Sequence, residues 1–229
     1  MYRRKFLKKI FLISAGLIAL KMKLFANEIL KPFNLENGVF VNNFIGHRKS
    51  FKDFWKWRKE SKRPDPMSFP LAHNDVQYLQ QNKSDKTLTW VGHATFLLQL
   101  NGYNILTDPH FSKRASPLSF MGPERTTPPG LQIDDLPLID LVVISHNHYD
   151  HLDSQSIKSL IKRQKNNQPI FFIPLKLKKT LQNFGAINVI EHEWWQTTQY
   201  KQLEICSVPV QHWSKRSLSD TNKTLWCGW

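Results

Sequence analysis

From Lys86 onward, short runs of apolar and β-branched residues alternate with turn signals, the pattern of strands. Residues 87–91 and Thr95–Leu100 read as strands. Asn101-Gly102 then predicts a two-residue hairpin, because a type I′ turn needs positive φ at both central positions. Tyr103–Thr107 is the returning strand, ending at Asp108-Pro109. Residues 109–139 are proline-rich and without period, so they read as one long ordered loop of the kind that carries function. Residues 141–145 form a continuous apolar strand of the buried type. Asp153-Ser154 caps a following helix with Ile157, Leu160 and Ile161 on one face. Residues 170–173 are another buried strand, 175–184 a helix stopped by Gly185, and 189–190, 203–208 and 224–226 further strands. Strands alternating with helices predict an α/β protein built on layers of sheet.

Upstream the pattern changes. Residues 27–49 read as mixed and extended. Over residues 50–62, Ser50 is a plausible N-cap, and Phe51, Phe54, Trp55 and Arg58 fall at helical spacing with Trp57 beside them. The simpler expectation is a short helix packing its aromatic face on the domain. The sharper one is a basic-aromatic surface that meets lipid headgroups. Arg63-Pro64-Asp65-Pro66 ends the helix. Residues 1–26 have a basic start, an apolar stretch from Ile10 to Leu20, and Ala26 before a possible cut, the order of a secretory signal. Tyr2-Arg3-Arg4-Lys5-Phe6-Leu7-Lys8 resembles a bacterial twin-arginine export signal, which implies a periplasmic or membrane-associated product. An uncleaved anchor is the alternative, and a cytoplasmic protein the outcome if the signal goes unused. The apolar stretch falls short of the ~20 residues that span a bilayer. The chain thus divides into an export signal or anchor (1–26), an extension with a basic-aromatic helix (27–85) and a main domain (86–229).

At 229 residues, one sizeable core is expected. Cys206 and Cys227 make no disulfide framework. The net charge of +14 is partly local, since residues 1–26 hold seven basic and no acidic side chains. The remainder, 25 basic against 18 acidic residues, suits an anionic membrane surface or a phosphate ester and does not call for nucleic acid.

The chemistry concentrates in residues 144–153, ISHNHYDHLD, directly after a buried strand. Ligands collect at such strand ends in α/β folds. His146 and His148 are two apart, so in an extended segment their rings point the same way and can grip one ion. Asp150 and His151 follow at a turn and can reach a second ion. Nitrogen and carboxylate donors suit zinc, and less well iron or manganese.

His146-Asn147-His148-Tyr149-Asp150-His151 resembles the H-x-H-x-D-H motif of the metallo-β-lactamase-fold hydrolases. Trp90-Val91-Gly92-His93-Ala94-Thr95, Leu106-Thr107-Asp108-Pro109, Arg114-Ala115-Ser116-Pro117 with Met121-Gly122-Pro123, Trp194-Trp195, and Gln211-His212-Trp213-Ser214-Lys215-Arg216 together resemble its N-acylphosphatidylethanolamine-hydrolysing phospholipase D branch. The resemblance implies an αββα sandwich with two zinc ions at one sheet edge. It assigns the first ion to His146, His148 and His212 and the second to Asp150 and His151. Asp108 becomes the carboxylate behind a ligand histidine, Asp150 also guides the proton of the attacking water, and His93 stays outside the ligand set. The implied reaction is metal-assisted hydrolysis of a phospholipid phosphodiester at a membrane surface. A different ester or lactone substrate, or an inactive remnant, are the alternatives. The family also uses a bridging aspartate about thirty residues beyond the histidine matching His212, and a later histidine. The chain stops at Trp229, 17 residues after His212. The expectation is therefore a fragment or truncated product lacking the C-terminal part of the sandwich, with at most about one equivalent of zinc and negligible turnover.

Overall fold

The computed structural model describes residues 33–44, 51–61 and 67–229. The export-type segment, the cap Ser50 and the turn 63–66 lie outside the described residues. Two short strands, β1 (Asn34–Glu36) and β2 (Val39–Val41), pair as a hairpin, followed by α1 (Phe51–Glu60) and α2 (Val76–Gln81). The main sheet then forms in the order β3 (Thr87–Gly92), β4 (Thr95–Leu100), β5 (Tyr103–Thr107), β6 (Leu141–Val143), β7 (Ile170–Pro174) and β8 (Val189–His192). The β3–β4 and β4–β5 pairs are antiparallel, and the pairs from β5 to β8 are parallel. Asn101 and Gly102 have φ of 52° and 78°, the left-handed pair that the hairpin between β4 and β5 requires.

Parallel neighbours need crossovers, and these place the layers. The proline-rich loop joins β5 to β6, α3 (Ser154–Arg163) joins β6 to β7, and α4 (Lys178–Asn183) joins β7 to β8. Asp153 caps α3 by accepting from the backbone N–H of Gln155. Ile157 and Leu160 of α3 and Leu181 of α4 bury against Leu97, Leu106, Val142, Phe171 and Ile173 of the sheet. The other face, with Ile105, Leu141, Val143 and Phe172, packs on a hairpin of β9 (Thr197–Tyr200) and β10 (Leu203–Cys206). Helices, mixed sheet and second β layer give the expected layered α/β architecture. Among the described residues the second sheet is this one hairpin, and β9 was not foreseen.

Three sequence expectations change. Residues 224–226 are irregular: Leu225 and Trp226 are buried core, the Leu225 N–H donating to the Leu175 carbonyl and the Trp226 carbonyl accepting from the Trp194 indole rather than joining a ladder. The helix of 175–184 begins only at Lys178, because Leu175 still pairs with His192 along the sheet and Lys176 turns at φ 68°. In α1, Trp55 and Trp57 are more exposed than a helix with its aromatic face on the domain would leave them, at 54% and 61%. No helix among the described residues is long and apolar enough to cross a membrane.

A third buried cluster joins the ends of the chain. Phe40 of β2 packs with Trp194, Leu225, Trp226 and Cys227. Residues 33–44, placed in the extension by sequence, therefore support the domain directly.

Candidate metal centre

Strands β5 and β6 run parallel and end side by side, so the residues that follow them share one edge. Asp108 follows β5 at φ 34°, and its backbone N–H still donates to Val143 O at 2.9 Å. Ser145 and His146 follow β6. The Asp108 carboxylate accepts from Ser145 N–H and Ser145 Oγ–H, each at 2.6 Å, and from His151 Nδ1–H at 2.8 Å. Ser145 Oγ, having donated its proton to Asp108, accepts from His146 Nδ1–H at 2.8 Å. One carboxylate thereby fixes two tautomers. His146 and His151 both carry the proton on Nδ1 and present Nε2 with its lone pair free.

His146 Nε2 faces His148 Nδ1 at 2.8 Å and His212 Nε2 at 3.0 Å. A tetrahedral ion with zinc–nitrogen bonds of ~2.0–2.1 Å holds its ligand nitrogens roughly 3.3 Å apart, close to these two distances, and the three donor atoms all lie within 4.8 Å of one another. The rings are also kept neutral, as metal binding requires. Burial first, then the neighbouring imidazoles, push His146 down to about 2 and His148 down to about 4. Burial and His151 lower His212 as well. His148 Nε2 is buried with no hydrogen-bond partner among the described residues, so this ring's polar interaction is through Nδ1.

Beside this group lies a second. Asp150 Oδ2 is 3.6 Å from His151 Nε2 and 2.9 Å from His93 Nε2. One ligand atom from each of His93, Asp150 and His151 lies within 4.8 Å of the others, as in the first group. Burial works against ionisation of Asp150, but the His93 hydrogen bond and the adjacent His151 hold its carboxyl well below the usual carboxylate range. His151 moves up despite its burial, because Asp108 stabilises its charged form. The His146 and His151 rings, one from each group, are 4.1 Å apart between centroids.

Every residue singled out as a ligand from sequence is thus brought to one edge, and Asp108 stands behind two of them. His93, left outside the set, reaches it from 57 residues away. Other supports carried no local signal. Asn42 brackets the backbone of His212, accepting from its N–H at 3.1 Å and donating to its carbonyl at 2.8 Å. Arg216 donates to the carbonyls of Asn147 and Leu152, while its guanidinium stacks 4.1 Å over the Tyr149 ring. That contact ties the 146–151 loop to the segment carrying His212.

A mixed sheet flanked by helices, with histidine and aspartate donors at the strand ends, defines a metallo-hydrolase type of fold and site. Residues 103–229 match the family described as the beta-lactamase superfamily domain, and the chain belongs to that family. The N-acyl-phosphatidylethanolamine-hydrolyzing phospholipase D 1 of Caenorhabditis elegans is 42% identical over 167 residues, 69% of this chain and 46% of that protein. The mitochondrial enzyme of the same type from Saccharomyces cerevisiae is 37% identical over 172 residues, 73% of this chain and 35% of that protein. An uncharacterized protein of Mycobacterium tuberculosis is 38% identical over 206 residues, 86% of this chain and 54% of that protein. The chain therefore spans about half, or less, of the length of these relatives.

Proposed function

We propose that the chain carries the metal centre of a zinc-dependent phosphodiesterase acting on N-acylphosphatidylethanolamine-type phospholipids. The observation that carries this reading is the convergence of three histidines, His146 Nε2 standing 2.8 Å from His148 Nδ1 and 3.0 Å from His212 Nε2 with all three donor atoms within 4.8 Å of one another, next to the Asp150–His151 pair. The likeness to relatives named for that lipid supports the substrate class.

In this reading His146, His148 and His212 hold one ion and Asp150 and His151 a second. When bound, the ions supply Lewis acidity that acidifies water and draws charge from phosphoryl oxygens. Asp108 keeps both Nε2 lone pairs directed at the centre, directly through His151 and through Ser145 to His146. Asp150 stays ionised and accepts the proton of the attacking water. Water oxygen bonds to phosphorus, the phosphorus–oxygen bond to the N-acylethanolamine breaks, and the leaving oxygen takes a proton. Phosphatidic acid and N-acylethanolamine are the products. The excess of basic residues supports an anionic membrane surface as partner, and the resemblance of residues 2–8 to a twin-arginine signal supports export to the periplasm or its membrane.

The product of the gene encoding this chain, supplied with zinc and vesicles containing N-acylphosphatidylethanolamine, is expected to release N-acylethanolamine measurable by mass spectrometry. A chelator should abolish the release. Chelator-sensitive cleavage of lactones or other esters, with none of the phospholipid, would refute the substrate while leaving a metallo-hydrolase.

A further inference from the structure

We propose that Arg125 is a positioning residue of the metal centre, pinning together the two strained turns that bring His93 and Asp108 to the shared sheet edge. The proposal rests on the metal reading above and assigns no further ligand.

Both turns hold backbone that residues with a Cβ avoid. His93, between β3 and β4, lies at φ 51°, and Asp108, after β5, at φ 34°. Such conformations persist only where the surrounding structure fixes them. The side chains these turns present act on the centre directly. His93 Nε2 is 2.9 Å from Asp150 Oδ2, and Asp108 accepts from His151 and, through Ser145, orients His146.

One guanidinium reaches both turns. Gly92, at φ 144°, immediately precedes His93, and Arg125 Nη1 stands 2.8 Å from where a Cβ would be. The guanidinium thus fills the space that only glycine leaves. On its other side Arg125 donates to His110 Nδ1 at 2.8 Å and to the His110 carbonyl. A guanidinium can only donate, so His110 is the acceptor and carries its own proton on Nε2. The His110 backbone N–H donates to Thr95 Oγ at 3.0 Å, and Thr95 Oγ–H donates to the Asp108 carbonyl at 2.8 Å. Arg125 is thereby joined through His110 and Thr95 to the Asp108 turn.

The arrangement is costly for a device that only fills space. His110 is 5% exposed, yet its Nε2–H and the Arg125 Nε–H are buried without a hydrogen-bond partner among the described residues. Arg125 also makes no ion pair among those residues. Two apolar side chains would pack there without leaving donors unsatisfied. A guanidinium in this place is explained by what its two terminal nitrogens hold.

The test is the zinc affinity of the metal-free full chain, read by competition with a chromophoric chelator, in wild type, Arg125→Ala and Thr95→Val. Each is measured alone and with guanidinium or methylammonium ion at equal concentration. Guanidinium can occupy the space vacated in Arg125→Ala and restore its donors, whereas methylammonium lacks the planar fork. Arg125→Ala should bind zinc about tenfold more weakly, and guanidinium, not methylammonium, should restore it to within about threefold of wild type. Thr95→Val keeps the shape and breaks the path between His110 and Asp108. It should lose affinity similarly and respond to neither ion, and it tests the path even if Arg125→Ala does not fold. Unchanged affinity in either variant would overturn the proposal. So would a loss in Arg125→Ala that guanidinium leaves unrepaired, since that is the mark of a generally loosened fold. A wild type that binds no zinc would overturn the metal reading itself, and this proposal with it.

Discussion

Asp108 is the residue on which the centre's chemistry turns, because its Oδ2 accepts from both Ser145 Oγ–H and His151 Nδ1–H and so sets the protonation of two histidines at once. Asp108→Asn replaces one accepting oxygen with a donor: at the Oδ2 position both His151 Nδ1–H and Ser145 Oγ–H lose their acceptor, and at the Oδ1 position Ser145 N–H does. The expected outcome is a folded protein whose metal affinity falls about 10–100-fold, read by chelator competition. Unchanged affinity would show that the tautomers are set elsewhere. The neutral imidazoles also give the metal-free protein a pH dependence. His146, held down to about 2, and His148, held down to about 4, stay neutral in the fold while the unfolded chain protonates them near 6.5. The unfolded state then binds more protons, so stability falls as pH drops from about 6.5 toward 4, by at most about 1.4 kcal/mol per pH unit for each histidine. His151 is raised and acts oppositely, losing its contribution as pH rises through its folded value, but His110, His192 and His212 are all lowered. Urea unfolding in a chelator should show a lower midpoint at pH 5 than at pH 7, and equal midpoints would contradict this. At this scale the sequence was informative where donors are neighbours: four of them fall within six positions of 146–151. It left His93 outside the ligand set, its partner being 57 residues distant, and was silent on Ser145, whose role exists only once β5 and β6 lie side by side.

Among elements, the least expected partner of the centre is the hairpin of β1 and β2. It belongs to a stretch whose sequence is mixed and short of apolar periodicity, yet Phe40 is buried beneath Trp194 and Trp226, and Asn42 holds His212 in register. Asn42→Ala removes both brackets from the His212 backbone. The expected cost is about 1–3 kcal/mol in chemical unfolding, together with weaker binding of the first metal equivalent only. Loss of stability with metal affinity intact would make the hairpin a brace for the core and not for the site. The strands from β3 to β8 were legible because β-branched residues and turn pairs mark them locally. Residues 224–226 misled for the same reason. Leu225 and Trp226 are as apolar as a strand, but their burial fills the space between the sheet and the β1–β2 hairpin instead of extending a ladder. Periodicity reports burial, and a buried irregular segment reads the same way.

For the molecule as a whole, the basic excess and the exported, membrane-facing setting belong to one proposal. Replacing Arg3 and Arg4 together by Lys keeps the charge and removes the twin-arginine pair, so precursor should accumulate in the cytoplasm. Fractionation with an unchanged distribution would remove the export claim. The layered fold was readable from the order of strands and helices. The β9–β10 layer was only half readable, because the burial of residues 197–200 alternates weakly between exposed and intermediate and leaves little pattern. The central claim, that the strand-end histidines form a metal centre, is tested most directly by metal analysis of the purified protein beside His146→Ala and His148→Ala after the same dialysis. The account predicts bound zinc in the wild type and loss of the first equivalent in both variants, with their circular dichroism retained. Equal metal content in wild type and variants would contradict it.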